Sequence, residues 1–272
     1  MTNEEIVKKV RERYGRIAAG QTSGCGCGVA TPAAESRVAE EIGYTAQELV
    51  GAAAESNLGL GCGAPVAQLE LRAGERVLDL GSGGGIDCFI AAQRVGPTGQ
   101  VIGVDMTPEM IARARASAAR AGLTQVEFRQ GRLEQLPLGS ASVDAVTSNC
   151  VINLAPDKAA VFREVARVLV PGGRLVVSDI VLDGELPPAV CEHVLAYVGC
   201  LAGAMRREPY FALLDQAGLV GREILQDIDY LAVAACALPE ELQQLLRSSG
   251  ARLEDLAGKV RSITYRAFRP RT

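Results

Sequence analysis

The segment that most constrains this chain is residues 76–88, RVLDLGSGGGIDC, in which a short apolar run ends in a turn built almost wholly of glycine. A run this short and this apolar, bounded by turn residues, predicts a buried strand at 76–80. The glycines let the backbone turn with positive φ and pass close to a ligand before a helix at 85–95. The same alternation repeats downstream, with strands expected at 100–104, 126–130, 143–148 and 174–180 and helices at 108–121 and 158–169. Thr107 stands as N-cap to the helix at 108, and Pro108 occupies its first turn, where a missing N–H does no harm. Strands joined through helices of this length require a parallel sheet with right-handed crossovers.

Outside this core the pattern changes. Residues 4–19 place Ile6, Val10, Tyr14 and Ile17 at helical spacing, residues 20–28 read as a glycine-rich loop, and 35–64 predict a helix only at 45–53. Pro187-Pro188 opens a helix expected to run to about Gly203, and a second at 207–217 is ended by Gly218. The runs 223–233 and 262–268 are expected as antiparallel edge strands, and a helix at 239–247 carries no assigned role. The expectation is therefore a Rossmann-like α/β fold: a mostly parallel seven-stranded sheet with helices on both faces, with an N-terminal cap and a C-terminal extension. The expected divisions are a Cys-containing cap at 1–70, a nucleoside-binding core at 71–184, and substrate-side helices and edge strands at 185–272.

Two nucleotide ligands compete for the glycine turn. A dinucleotide fingerprint wants G-x-G-x-x-G, but position 86 is Ile, so the third glycine falls one place early. Asp79 also precedes the first glycine closely, and a diphosphate does not welcome a carboxylate there. A ligand carrying an ammonium and a sulfonium does, which favours S-adenosylmethionine. Gly81, Ser82 and Gly83 then approach the donor, and Asp105, closing the second strand, accepts hydrogen bonds from its ribose hydroxyls. Met106 is expected against the adenine face, with Gly131, Leu133 and Glu134 near its edge, and Asn149 faces the crevice outside the carboxyl ends of the strands. The Pro171-Gly172-Gly173 turn before the fifth strand agrees with this arrangement.

A net charge of −4 and a sequence pI near 5.3 argue against a nucleic-acid partner, which needs a basic footprint. The N-terminus carries acidic charge early and no apolar core of a signal peptide, and no apolar stretch reaches the roughly 18 residues of a membrane span. A cytoplasmic location with no membrane partner is expected. In a reducing compartment the eight cysteines do not read as a disulfide framework, so each is packing, ligation or chemistry. Cys150 directly follows Asn149 beside the expected donor, and Cys62 lies between glycines in what reads as an exposed, flexible loop. Cys200 lies on the helix opening at Pro187, between Gly199 and Gly203, with His193 two turns earlier on roughly the same face. Cys88, Cys191 and Cys236 read as small core residues. Cys25 and Cys27 form C-x-C without a second pair, which weakens a zinc reading.

The segments 77–88, 103–107 and above all SNCVINL at 148–154 resemble the arsenite S-adenosylmethionine methyltransferase family of the class I methyltransferases, and LGCG at 60–63 and GCLAGA at 199–204 fit it too. The resemblance covers most of residues 20–220 and is weakest over the last 50. It implies that Cys62, Cys150 and Cys200 bind trivalent arsenic as thiolates, with Cys25 or Cys27 as a fourth cysteine. It further implies a thiol reductant, glutathione or a dithiol protein such as thioredoxin, that restores electrons through a disulfide between Cys62 and Cys25 or Cys27. Two other readings compete: a methyltransferase acting on a small organic or quinone-like acceptor, with the cysteines as packing, and a non-enzymatic thiol-rich metal binder.

Overall fold

The computed structural model describes residues 2–21, 32–185, 203–231 and 256–272. Cys25, Cys27, Cys191, His193, Cys200 and Cys236, with the helices expected at 187–203 and 239–247, lie outside the described residues apart from Gly203.

The core strands are β1 (Arg76–Leu80), β2 (Gln100–Asp105), β3 (Val126–Gln130), β4 (Val143–Asn149) and β5 (Leu169–Leu182), interleaved with helices α4 (Ile86–Val95), α5 (Pro108–Arg120) and α6 (Lys158–Val168). They follow helices α1 (Asn3–Ala18), α2 (Pro32–Glu41) and α3 (Ala52–Ser56). After them come the two-residue strand β6 (Met205–Arg206), helix α7 (Arg207–Gln216), β7 (Val220–Asp229) and β8 (Val260–Phe268). The sheet order is β3-β2-β1-β4-β5-β8-β7, with β6 paired to β5 off this path.

The period of two along each strand explains why both faces are covered. Leu78, Leu80, Ile102, Val104, Val146, Leu175 and Val177 face one side, where Val161, Phe162 and Val165 of α6 and Tyr210, Phe211 and Leu214 of α7 bury them. Val77, Val101, Ala145 and Val176 face the other, against Phe89 and Ile90 of α4 and Ile111 and Ala114 of α5. The parallel pairing runs β1 to β2 and β4, β2 to β3, and β4 to β5. Strand order therefore reverses between β1 and β4, the position at which open α/β sheets open a crevice.

Three expectations change. The two late strands are not both antiparallel edges: β8 runs antiparallel to β5 along nine paired positions, and β7 runs antiparallel to β8, so β8 lies inside the sheet and β7 at its edge follows the parallel direction. β5 starts at Leu169 and carries the Pro171–Gly173 turn as an irregularity opposite Val143 and Ala145. The predicted helix at 45–53 is a turn followed by α3, and α2 forms where no apolar periodicity announces it. Among the described residues no helix is long and apolar enough to cross a membrane.

Candidate active site

The carboxyl ends of β1, β2 and β4 open into a cavity of about 1070 Å³, part of it open to solvent. Its floor is the glycine turn. Gly81 has φ +65°, its N–H and that of Ser82 donate to Val104 O at 2.7 and 3.1 Å, and a Cβ at Gly81 would overlap the Val151 side chain. This close approach is the physical reason for glycine at that position. Asp79, Gly81, Ser82 and Gly83 line the cavity from β1 and its turn, Asp105 and Met106 from the end of β2, and Gly131, Leu133 and Glu134 from beyond β3. Asn149 and Cys150 line it from the end of β4. All ten residues singled out for a donor are thus brought together. Val7, Val10 and Tyr14 on one side of α1 add an apolar wall, so the N-terminal helix covers this opening.

The cavity is acidic at one end. Asp79 and Asp87 are both buried there, and burial pushes both carboxyls up: Asp87 to about 6, and Asp79 well above the carboxylate range with the Asp87 charge adding to the effect. Tyr44 OH donates to Asp87 Oδ1 at 2.8 Å, and Cys88 Sγ donates to Asp79 Oδ2 at 3.3 Å. Burial likewise raises Asp105, against the N–H groups of Gly83 and Thr107, which donate to its two oxygens at 2.9 and 2.8 Å. Thr107 occupies the N-cap position of α5, yet its side chain makes no capping bond; Asp105 holds its N–H instead. Two buried carboxyl groups raised together are a site short of positive charge. The buried hydroxyls of Ser56 and Ser82, both on the cavity wall, have no hydrogen-bond partner among the described residues. A ligand that is cationic at one end and rich in polar groups fits these walls, and S-adenosylmethionine is such a molecule.

Of the described cysteines, Cys150 and Cys88 sit as expected and Cys62 does not. Cys150 lines the cavity at φ +59°, a left-handed conformation that costs a non-glycine residue about 1 kcal/mol, and its N–H donates to Ser178 O at 2.8 Å. Cys88 is wholly buried, and burial with the neighbouring Asp79 drives its thiol well above the usual range, so it is no nucleophile. Cys62 is buried at 2% exposure rather than held in an open loop. Its flanking glycine serves packing: a Cβ on Gly63 would stand 2.5 Å from Ser178 Oγ. The side chain of Asn149 joins this loop to the cavity, accepting from Cys62 N at 3.0 Å and donating to Gly63 O at 2.7 Å. Cys62 is therefore tied to the residue next to Cys150, although it does not itself line the cavity. Among the described residues no group of three metal-ligating side chains forms.

Sequence reasoning missed Asp87, Tyr44 and Ser262. Asp87 sits in the first turn of α4, where an acid is ordinarily favourable to the helix and attracts no notice. Tyr44 and Ser262 reach the site only through the tertiary fold and carry no local signal.

The methyltransferase domain family matches residues 71–250. An arsenite methyltransferase of Halobacterium salinarum is 46% identical over 230 residues, covering 81% of this chain and 59% of its own length. The arsenite methyltransferase of Mus musculus is 37% identical over 212 residues, covering 74% of this chain and 54% of its own length. The chain thus spans a little over half the length of these curated relatives. An arsenic(III) S-adenosylmethionine methyltransferase of Chlamydomonas reinhardtii, solved by X-ray crystallography, superposes with a TM-score of 0.59 at 35% identity, covering 87% of this chain and 74% of that one.

Proposed function

Since the chain belongs to the arsenite methyltransferase family, built on the methyltransferase domain, we propose that it transfers a methyl group from S-adenosylmethionine to trivalent arsenic held by cysteine thiolates. The observation that carries the proposal is one cavity whose wall holds both the buried Asp79–Asp87 pair and Cys150. When bound, S-adenosylmethionine supplies an electrophilic methyl group on a sulfonium. Asp79 and Asp87 offer negative charge to its amino-acid end, and Asp105 accepts from its ribose. Gly81, Ser82 and Gly83 carry the backbone close to it, while Met106, Gly131, Leu133 and Glu134 flank the adenine, and Asn149 closes the wall beside Cys150.

The acceptor side follows from thiol chemistry. Trivalent arsenic is soft, and thiolates from Cys62, Cys150 and Cys200 displace its hydroxides and leave one lone pair uncovered. That acceptor atom carries no proton to remove, so the site needs no general base, in keeping with a chain that has a single histidine. Alignment is then the main contribution of the protein. Methylation formally oxidises arsenic by two electrons. The free thiol of Cys25 or Cys27 then attacks the arsenic-bound sulfur of Cys62: the S–S bond forms, the As–S bond breaks with its electron pair left on arsenic, which returns the two electrons, and the one remaining thiol proton is released. Glutathione or a dithiol protein such as thioredoxin reopens the disulfide, which places the enzyme in a reducing, cytoplasmic compartment. The divisions at 1–70, 71–184 and 185–272 remain part of this proposal, with the early cysteines in the first and Cys200 in the last.

The test is incubation with arsenite and methyl-labelled S-adenosylmethionine under reducing conditions, followed by separation of the arsenicals. Labelled methylarsenicals are expected, and Cys150→Ser and Cys200→Ser should each abolish them while S-adenosylmethionine still binds. Undiminished turnover in either variant refutes the thiolate cage; label appearing only on an organic acceptor transfers the site to a different substrate class.

A further inference from the structure

Asn149 borders the donor cavity, and most of its amide contacts reach the Cys62 loop and the groups behind it. Oδ1 accepts the Cys62 N–H at 3.0 Å. Nδ2 lies 2.7 Å from Gly63 O, 2.9 Å from Tyr44 OH and 3.3 Å from Asp87 Oδ2, so two amide hydrogens face three acceptors. The orientation of the amide is fixed by chemistry, since Cys62 N–H can only donate and Gly63 C=O can only accept. From the other side Ser262 Oγ on β8 donates to Cys62 O at 2.6 Å. The main chain of Cys62 is thus pinned at both its N–H and its C=O by two side chains from distant strands.

Cys150 stands on the same platform. Its N–H donates to Ser178 O at 2.8 Å, and it is Ser178 Oγ that leaves no room for a Cβ on Gly63. Ser178 Oγ is itself 2.8 Å from Thr264 Oγ1, on the β8 position paired with it. Both thiol-bearing turns therefore rest on one β5–β8 surface.

We propose that Asn149 and Ser262 are positioning residues that fix Cys62 relative to Cys150 before arsenic arrives, so that Asn149, which also touches Asp87 on the donor side, serves the acceptor as well. The inference rests on the thiolate reading above. Two ligands held in register need not be ordered on binding, and that ordering would otherwise be subtracted from the affinity for arsenic. The side-chain type is also specified. An aspartate at 149 would still accept from Cys62 N–H but would oppose Gly63 C=O and the Asp87 carboxylate.

The test uses the full reduced chain. Arsenite affinity is measured by equilibrium dialysis, S-adenosylmethionine affinity by calorimetry, and kcat and KM are determined for both substrates. Ser262→Ala is expected to weaken arsenite binding and raise its KM by roughly tenfold, the loss typical of one buried hydrogen bond, and Asn149→Leu, which removes several, to do so by more. Ser262→Ala should leave the KM for S-adenosylmethionine unchanged, and Ser262→Thr, which keeps the hydroxyl, should restore arsenite binding. Ser262→Ala removes a single oxygen and keeps the test decisive if Asn149→Leu does not fold. Arsenite bound by Ser262→Ala as tightly as by the wild type overturns the proposal, as does an equal rise in both KM values. A wild-type chain that binds S-adenosylmethionine but no arsenite overturns the arsenic reading itself, a different result from a wild type that binds arsenite and variants that bind it equally well.

Discussion

Donor binding should depend on pH through Asp87, and the size of the effect follows from its burial. Without ligand, burial pushes the Asp87 carboxyl from 3.8 to about 6, so the group is largely protonated at pH 5 and largely ionised at pH 7. A ligand ammonium prefers the ionised form. Affinity should therefore fall as pH falls, by about tenfold between pH 7 and pH 5 from this group alone. Asp79, held well above the carboxylate range, extends the dependence to higher pH. The same shift bears on stability with the opposite consequence. A carboxyl raised in the folded state stabilises the fold below its unfolded value, and that contribution is lost as pH rises through about 6. At 1.36 kcal/mol per pH unit, the raise corresponds to about 3 kcal/mol of stability forgone at neutral pH.

Asp87→Asn separates the two effects. The amide still accepts from Tyr44 OH but carries no charge, so the ligand-free protein should melt higher at pH 7.5 while S-adenosylmethionine binds roughly a hundredfold more weakly. Calorimetry in buffers of differing ionisation enthalpy should show proton release on binding to the wild type near pH 6 and less release in the variant. S-adenosylhomocysteine, which keeps the ammonium and lacks the sulfonium, should reproduce the pH slope if the amino-acid end is the group that Asp87 meets. Affinity flat from pH 5 to 7, or Asp87→Asn binding as tightly as the wild type, would refute this account of the acidic end.

Asp105→Ala removes the acceptor for the Gly83 and Thr107 N–H groups as well as the expected ribose partner, and donor affinity should fall at least about tenfold by calorimetry. Cys88, its thiol raised by burial beside Asp79, should escape iodoacetamide at pH 8 in the native protein and react only after denaturation, as read by peptide mass mapping. Asp179, pushed by burial to about 7, should make the wild type lose stability between pH 4 and pH 7. Asp179→Asn should flatten that loss, by up to about 3 kcal/mol between pH 5 and pH 8 in urea unfolding, and an unchanged pH difference would contradict it.

What is legible in the sequence is what is local. A strand, a glycine turn and a helix are specified within a dozen neighbours, so Asp79, Gly81, Asp105 and Asn149 can be placed at strand ends from their flanking residues alone. What stays hidden depends on partners far along the chain. Cys62 reads as mobile because glycines surround it, yet glycine marks close approach as often as freedom, and only the Ser178 and Asn149 side chains decide between them. Pairing of β8 with β5 is equally invisible, because an apolar run at 262–268 serves an inner or an edge strand alike. Asp87 looks like any acid at a helix start, and its partner Tyr44 lies in a segment with no periodicity to recommend it.

The end of β4 brings the glycine turn, the cavity wall and the Cys62 loop together in few residues. In a strand that simply continued, Asn149 and Val151 would point to the same face, with Cys150 opposite. The positive φ at Cys150 breaks that alternation. Asn149 turns its amide to the Cys62 loop, Cys150 joins the cavity wall, and Val151 packs where a side chain on Gly81 would have to go. Three consecutive residues thus touch the Cys62 loop, the cavity wall and the glycine turn. Cys150 thus holds a thiol on the cavity wall beside the glycine turn at a position whose positive φ favours glycine.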